Sequence, residues 1–300
     1  MENIYPFSST RIFYGSVYIA LAATALPLYL IIIIIYMRHK MFQKLPCYWI
    51  MSAMGIFDLL YLSSEVALGV RLLTNEEYCY WIEEVFMCLM YSTYSGSVIM
   101  ICLLATNRLF VLVLPVLPSI FYKVCILIIC AYVAAIFGIC VSNKMKIYYE
   151  PLFLTPGAES DREWAAYVLS VDSFVGFISF GSTLVMYVVI TVYLVVKRFQ
   201  SNQQNFVKDL KVLWQGVLIF LVGLFILLNR NFATRFIDVT YWYTASLNVF
   251  CIFYCGLFNP MLYLGTNREL RRVVRSVLFL KKSSTSTVEV IRIKDVESEL

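Results

Sequence analysis

The stretch IFYGSVYIALAATALPLYLIIIIIYM, residues 12–37, contains no lysine, arginine, aspartate or glutamate. A helix needs about 20 apolar residues to cross a bilayer, whose hydrocarbon core offers no water to unpaired backbone groups. The whole chain is similarly apolar: 61% of its 300 residues are hydrophobic and 14% are charged, against roughly 25% charged in soluble domains. The sequence therefore predicts an integral membrane protein built from helices.

Six further apolar runs follow the first, and each is long enough to form a transmembrane helix. Their approximate limits are 47–70, 84–108, 124–142, 173–196, 212–228 and 240–264. The connections between them are short, except for residues 143–164. We therefore expect an all-α membrane protein in which residues 14–280 form a seven-transmembrane helix bundle followed by a short amphipathic helix. An N-terminal segment, 1–13, and a disordered tail, 281–300, would flank this domain.

The positions of the basic residues predict which way the bundle faces. If the N-terminus is outside, 17 of the 24 lysines and arginines lie on the cytosolic side or in the tail, and seven lie outside. Cytosolic loops of membrane proteins carry such an excess. The loops on the other side are acidic instead, with Glu76, Glu77, Glu83 and Glu84 among them. We therefore expect an extracellular N-terminus and a cytosolic tail.

Two acids lie inside the second run, where an ionisable side chain is costly and typical of a functional site. Asp58 is near the middle of this run. It is either a buried acid satisfied by neighbouring polar groups, or a polar hub that binds a cation and repacks between two states. Glu65 follows seven residues later on the same helical face, about 10 Å nearer the outside at 1.5 Å per residue. It faces a ligand cavity or reaches towards the interface, and both interpretations stay open.

Arg108 ends the third run, after Asn107 and seven residues before Pro115. A single arginine at the cytosolic end of a helix commonly anchors the membrane interface. At the mouth of a helical bundle, its guanidinium would also suit the backbone carbonyls at the C-terminus of a partner's helix. The position favours a contact with a cytosolic partner.

The seventh run contains Asn259, Pro260 and Tyr263. A proline removes one backbone hydrogen bond and kinks the helix, and the adjacent polar side chains can satisfy the freed groups. A kink with alternative polar partners is one kind of bistable element in a signalling bundle, although a purely structural kink is the other interpretation.

The segment GTNRELRRVVRSVLFL, residues 265–280, places apolar residues at helical spacing between arginines. This pattern predicts an amphipathic helix that lies on anionic cytosolic lipid. Near the outer surface, Cys79 precedes the third run and Cys140 closes the fourth. An oxidising exterior would allow a disulfide between them, and a free buried thiol at Cys140 is the alternative.

The order of Asp58, then Asn107-Arg108 with Pro115, then Asn259-Pro260-x-x-Tyr263, in the second, third and seventh of seven runs, resembles the rhodopsin-like G-protein-coupled receptors. Three segments, YWIMSAMGIFDLLYL, LLATNRLFVLVLP and GLFNPMLYLGTNRELR, are similar to the nematode serpentine chemoreceptors of the T, V and X-type classes. The likeness extends from the first run to the amphipathic helix.

The resemblance implies a chemosensory receptor of the plasma membrane, with a sensory cilium as an option. It would bind a small odorant-like or pheromone-like ligand between its helices and activate a heterotrimeric G protein. Arg108, with Asn107, would contact the G protein, and Asp58, Asn259, Pro260 and Tyr263 would carry the switch. The ligand cavity would lie among the second, third, fifth, sixth and seventh helices. Its candidate lining residues are Glu65, Tyr91, Tyr94, Asp172, Tyr241 and Tyr243.

The chain also departs from the usual pattern of these receptors. Asn107 stands where an acid is usual before the arginine, which implies that the ionic lock of the resting state is weakened or absent. The fifth and sixth runs contain no proline, and the long outer connection has no cysteine for the usual bridge. These departures fit the divergent nematode group.

Other classes of membrane protein fit less well. A retinal protein needs a lysine in the seventh run, and a metallohydrolase needs several histidine or carboxylate ligands, whereas the chain has one histidine, His39. We expect no catalytic residue, metal, cofactor or nucleic-acid partner. Two alternatives stay open. One is a seven-helix ligand-gated channel of the insect odorant-receptor kind, with its N-terminus in the cytosol, and the other is a structural membrane protein that does not signal.

Overall fold

The computed structural model of the protein describes residues 8–75, 80–115, 117–159, 162, 164–198, 203–233, 236 and 240–278. The elements in chain order are α1 (Ser8–Arg38), α2 (Lys40–Gln43), α3 (Pro46–Thr74), α4 (Tyr80–Leu112), α5 (Ser119–Val141), β1 (Ile147–Glu150), β2 (Thr155–Ala158), α6 (Ala165–Arg198), α7 (Gln203–Phe232), α8 (Tyr241–Phe253), a π-helical stretch (Tyr254–Phe258), α9 (Asn259–Thr266) and α10 (Arg268–Leu278).

Within this part of the chain, seven helices are long and apolar enough to cross a membrane. They are α1, α3, α4, α5, α6, α7 and the continuous run from α8 to α9, so the predicted seven-helix membrane bundle is confirmed. We call the end of the bundle that carries the N-terminus the outer end and the opposite end the cytosolic end, following the orientation predicted from charge.

Several helices extend beyond the predicted apolar runs. Helix α6 begins at Ala165, eight residues before the predicted start at 173, because the charge of Asp172 is accommodated within the helix by hydroxyl groups from its neighbours. Helix α1 begins at Ser8, so the predicted N-terminal segment 1–13 is already helical in its second half. Residues 1–7 and the predicted tail, 281–300, lie outside the described residues.

Helices α1 and α3 pack through two glycines. A Cβ atom on Gly15 would lie 2.9 Å from the carbonyl oxygen of Gly69, and one on Gly69 would lie 2.9 Å from that of Gly15. Small residues at such a crossing allow two backbones to approach closely, which is a common way for helices to associate in lipid. The first two transmembrane helices are therefore joined by direct backbone contact.

The irregularity expected at Pro260 takes the form of a π-helical stretch, Tyr254–Phe258, directly before Asn259. Single π-helical turns are frequent at functional sites, and a proline without an N–H favours them by leaving a carbonyl unpaired. Gly256 lies within this stretch against α1 and α3, where an added Cβ would be 2.9 Å from the side chain of Ala25 and 3.0 Å from that of Leu62. The last transmembrane helix thus changes its geometry where it packs most closely on the first two.

The long connection between α5 and α6 folds as a β-hairpin. Strand β1 pairs antiparallel with β2, with Ile147 opposite Ala158 and Glu150 opposite Thr155. The side chains of Ile147 and Tyr149 are buried, as alternation along a strand with one covered face requires. The sequence indicates only a long connection here, and the hairpin is not predicted from it.

Two hydrogen bonds hold the hairpin turn over the outer end of the bundle. The hydroxyl of Thr244 in α8 donates to the carbonyl of Phe153 at 2.7 Å, and that of Tyr18 in α1 donates to the carbonyl of Leu154 at 3.4 Å. Leu154 has a positive φ of 56° and its side chain is fully buried. The turn is therefore tied to the first and the last transmembrane helices.

Helix α10 is the predicted amphipathic helix. Its Leu270 and Val274 are buried against the bundle, while Arg272 and Arg275 are exposed. The side-chain oxygen of Asn267 accepts a hydrogen bond from the backbone N–H of Leu270 at 3.0 Å, which caps the start of the helix. This geometry places one apolar face on the bundle and one basic face outward.

Candidate functional site

A cavity of about 270 Å³ opens at the outer end of the bundle, beneath the β-hairpin. Its polar lining includes three of the predicted residues, Tyr91 and Tyr94 of α4 and Tyr243 of α8. Both hairpin strands contribute to one wall. The other lining residues are Tyr61, Met90, Ile147, Thr155, Pro156, Gly157, Ala158, Leu169, Asn229, Arg230, Ala233, Thr244, Leu247, Asn248 and Cys251.

A second cavity of about 170 Å³ adjoins the first and shares Tyr91, Tyr94, Leu169 and Arg230 with it. The predicted residue Asp172 lies on its wall. The two carboxylate oxygens of Asp172 accept hydrogen bonds from the hydroxyls of Tyr91, at 3.1 Å, and of Tyr132, at 3.0 Å. Helices α4, α5 and α6 are thus linked at the edge of the cavities.

Two of the predicted lining residues do not line either cavity. Glu65 is fully buried behind the wall, where its Oε2 accepts a hydrogen bond from the side-chain amide of Asn248 at 3.0 Å. Its Oε1 has no hydrogen-bond partner among the described residues. Glu65 therefore does not reach the membrane interface, and it is joined to the cavity wall through Asn248. Tyr241, in the first turn of α8, packs against Trp242 instead, with ring centroids 5.4 Å apart.

Arg230, which is not among the residues predicted from the sequence, lines both cavities. Its guanidinium carbon lies 4.6 Å from the ring centroid of Tyr94, so the side chain turns into the bundle. From the sequence alone it is one of the seven basic residues on the outer side. The available signal was the polar triplet Asn229–Arg230–Asn231, which continues the helix beyond the predicted end at Leu228.

Asp58 forms a polar hub in the middle of the bundle. Its Oδ2 accepts a hydrogen bond from the hydroxyl of Tyr29 in α1 at 2.6 Å, and its Oδ1 accepts one from the hydroxyl of Ser97 in α4 at 2.9 Å. The side-chain amide of Asn259 lies beside the same carboxylate. The hub thus connects α1, α3 and α4 to the last transmembrane helix.

Two polar groups near this hub are unused. The side-chain oxygen of Asn259 and the hydroxyl of Tyr263 are buried and have no hydrogen-bond partner among the described residues. A buried polar group without a hydrogen-bond partner costs free energy, and such groups are few in native structures. One explanation is a second arrangement of the helices in which these groups are paired. The predicted switch residues Asn259 and Tyr263 both lie near Asp58.

Arg108 is buried at the cytosolic end of the bundle, with 6% of its surface exposed. Its Nη1 donates a hydrogen bond to the hydroxyl of Tyr187 in α6 at 3.1 Å. Gly216 of α7 covers the pair so closely that an added Cβ would overlap both the guanidinium and the hydroxyl. No carboxylate of the described residues forms an ion pair with Arg108. Arg108 therefore contacts the neutral side chain of Tyr187 where an ionic lock would place an acid. Asn107, which precedes Arg108 in the chain, is buried as well.

This geometry combines an outer cavity, a polar hub and a covered arginine in one seven-helix bundle. The model of the family described as serpentine type 7TM GPCR chemoreceptor Srt matches residues 2–287. The chain belongs to the Srt family. The resemblance to the serpentine chemoreceptors is thereby confirmed, and the Srt protein is a multi-pass membrane protein of a receptor family rather than of an enzyme family.

The fold of the Srt protein is that of rhodopsin. The crystal structure of squid rhodopsin matches it with a TM-score of 0.68, over 92% of this chain and 87% of that chain. The two sequences are 10% identical, so this likeness describes the fold alone. No protein with a curated description matches the Srt protein closely enough to be counted as a relative.

The outer surface of the Srt protein is closed between α3 and β1 by a cation and an aromatic ring. The guanidinium carbon of Arg71 lies 5.3 Å from the ring centroid of Tyr149, and its Nε lies 3.2 Å from a carboxylate oxygen of Glu83. Burial raises the pKa of Tyr149 to about 12, so its phenol is neutral at physiological pH. This contact fixes the hairpin on the side of α3.

The predicted disulfide concerns Cys79 and Cys140. Cys140 is a free, buried thiol whose neighbour in the bundle is Cys88 of α4. Cys79 lies outside the described residues, and the bridge between the two therefore stays a prediction.

Proposed function

We propose that this Srt-family protein is a chemosensory receptor of the plasma membrane, with its N-terminus outside. It binds a small extracellular molecule in the outer cavity and activates a heterotrimeric G protein at the cytosolic end. The observation that carries this proposal is the presence of an outer cavity and a covered arginine, Arg108, at opposite ends of one rhodopsin-like bundle. Membership of a chemoreceptor family supports it.

Helix α7 connects the two ends. It carries Arg230 in the cavity wall and Gly216 against Arg108, 14 residues and about 21 Å apart at 1.5 Å per residue. A helix transmits displacement along its axis, so a ligand that favours a new position of the outer part of α7 also moves Gly216. The ligand shifts the equilibrium only by its difference in affinity for the two arrangements.

The polar hub would respond to the same movement. When α6 and α7 separate from α4 at the cytosolic end, Arg108 becomes accessible and loses Tyr187 as its partner. The unused groups of Asn259 and Tyr263 then supply alternative hydrogen bonds within the bundle. The uncovered guanidinium would bind carbonyl groups at the C-terminus of a G-protein helix.

Arg108→Ala tests the proposal. We expect it to abolish G-protein activation in a cell reporter stimulated with odorant and pheromone mixtures, because the contact for the partner is removed. Arg272→Ala, which removes an exposed cytosolic arginine on α10, should leave the response unchanged. An N-terminal tag stained on intact cells gives the surface amount of each variant and the side of the N-terminus. Unchanged signalling by Arg108→Ala would contradict the proposal, and a tag reached only after permeabilisation would favour a channel with a cytosolic N-terminus.

A further inference from the structure

The outer cavity contains a cation without an acid beside it. Arg230 lines both cavities, and no carboxylate of the described residues lies within 4.0 Å of its guanidinium. The nearby acids have other partners, since Glu65 accepts from Asn248 and Asp172 accepts from Tyr91 and Tyr132. An arginine has five N–H groups, and those of Arg230 are directed at the ring and hydroxyl of Tyr94 and at the cavity.

An arginine near the outer end of a transmembrane helix commonly reaches for lipid headgroups. Arg230 lies in the last turn of α7, where the helix dipole also favours a cation. Its direction differs from that use here, because the guanidinium lies 4.6 Å from the ring centroid of Tyr94, a side chain that is 9% exposed, and the exposed surface of Arg230 borders the two cavities. The charge is therefore presented to the cavity.

Three hydroxyl groups of the cavity wall are already engaged by the protein. The hydroxyls of Tyr91 and Tyr243 donate to Asp172 and to the side-chain oxygen of Asn229, at 3.1 Å and 2.6 Å. The hydroxyl of Thr244 donates to the hairpin carbonyl of Phe153. Among the described lining residues, Arg230 thus retains the largest unused capacity to bind an acceptor, and it does so with a positive charge.

We propose that the outer cavity binds a small organic carboxylate, whose charged group pairs with Arg230. The inference rests on the proposed function in taking this cavity as the ligand site. A carboxylate matches the planar guanidinium with two parallel hydrogen bonds, which are stronger than bonds between neutral groups. The apolar wall formed by Met90, Leu169, Ala233 and Leu247 receives the hydrocarbon part of the molecule. With about 270 Å³, the cavity lies near the lower limit of roughly 300–1,000 Å³ for ligand sites, so the molecule is small.

The test is a binding measurement that does not depend on a G protein. The full-length receptor in lipid nanodiscs is heated with hexanoate, octanoate, benzoate or phenylacetate, each compared with its primary amide and its primary amine. A ligand that binds the folded state raises the melting temperature by mass action. We expect at least one carboxylate to bind about tenfold more tightly than its amide, which corresponds to about 1.4 kcal/mol for the charged contact.

Three variants show whether Arg230 makes this contact. Arg230→Gln should lose tenfold or more in carboxylate affinity and none of the weak affinity for amides. Arg230→Lys should retain part of the affinity, because the charge stays and the planar fork is lost. Arg162→Gln is the matched control, since it removes an outer arginine that pairs with Glu159 in the hairpin connection, away from the cavity.

Several results would overturn the inference: equal binding of acids and amides, a preference for amines, unchanged carboxylate affinity in Arg230→Gln, or no carboxylate binding at millimolar concentration. Its failure differs from failure of the proposed function. Carboxylates that bind through Arg230 without G-protein activation would sustain the inference and reject the function. Signalling that depends on Arg108 and responds to uncharged molecules alone would sustain the proposed function and reject the inference.

Discussion

The two buried acids of α3 lie seven residues apart on one helical face, and they differ in how they are satisfied. Both oxygens of Asp58 accept hydrogen bonds, from Tyr29 and Ser97. Glu65 uses one oxygen, which binds Asn248, and leaves the other without a partner among the described residues. Both carboxylate oxygens of the acid in the middle of the bundle are therefore used, whereas only one oxygen of the acid behind the outer cavity is.

The arginines at the two ends of the bundle, one buried and one exposed, repeat this difference. Arg108 at the cytosolic end is covered by Tyr187 and Gly216, whereas Arg230 at the outer end borders two cavities. A receptor needs spare binding capacity where its ligand enters and a closed surface where its partner has not yet bound. The difference between the ends matches that need, and single substitutions can measure it.

Asp58→Leu should cause the largest loss of stability. It leaves the buried hydroxyls of Tyr29 and Ser97 without their acceptor, and each unsatisfied buried group costs about 1–3 kcal/mol. We expect the free energy of unfolding to fall by on the order of 3 kcal/mol, measured by thermal unfolding of the receptor in nanodiscs. Ser97→Ala, which removes one donor and leaves the other bond intact, should lose clearly less. If Asp58→Leu is as stable as the parent, the hub does not hold the bundle together.

Gly216→Ala should open the cytosolic end. The added Cβ overlaps the guanidinium of Arg108 and the hydroxyl of Tyr187, so the closed arrangement is penalised and the open one is not. A shift of about 1–2 kcal/mol changes the ratio of two states by roughly 5–30-fold, which would appear as higher signalling without ligand. The control is Gly181→Ala in α6, where an added Cβ meets no atom within 4 Å. Basal signalling that stays at the parent level in both variants would show that this contact does not restrain the bundle.

Glu65→Gln and Asp58→Asn form a matched pair with the smallest expected effects. In Glu65→Gln the remaining oxygen can still accept from Asn248, so we expect a change in stability below about 1 kcal/mol. In Asp58→Asn an NH₂ group must face the donor hydroxyl of Tyr29 or Ser97, so the loss should be larger. Melting temperatures of the two variants give the comparison directly. Equal losses would mean that the two acids are satisfied alike.

The helical part of the fold could be predicted because a chain in lipid must satisfy its own backbone hydrogen bonds, which few structures other than helices can do. Apolar runs of sufficient length without charges give the seven helices, and the alternation of valines and arginines after Gly265 gives α10. The β-hairpin could not be predicted in this way. Its turn is held by hydroxyls from α1 and α8, which are distant in the sequence, and its strands are four residues each.

Part of the lining of the outer cavity could be predicted from the residue type and from its position along the transmembrane helix. Tyr91, Tyr94 and Tyr243 line the cavity, and each carries a polar hydroxyl on an apolar ring. Arg230 was missed because an arginine near a helix end can point to lipid or to the interior, and only the ring of Tyr94 decides between them. Gly216 was missed because a close approach between helices leaves no mark on the sequence beyond the glycine itself.

The backbone contact between Gly15 and Gly69 also bears on how the receptor is made. These glycines belong to α1 and α3, which precede the other described transmembrane helices in the chain, and synthesis proceeds from the N-terminus at about 5–20 residues per second. The contact can form once α3 has entered the membrane, many seconds before α7 is complete. The pair of α1 and α3 would then be the surface on which later helices assemble, and a larger side chain at either glycine would disturb biogenesis before any ligand or G protein is met.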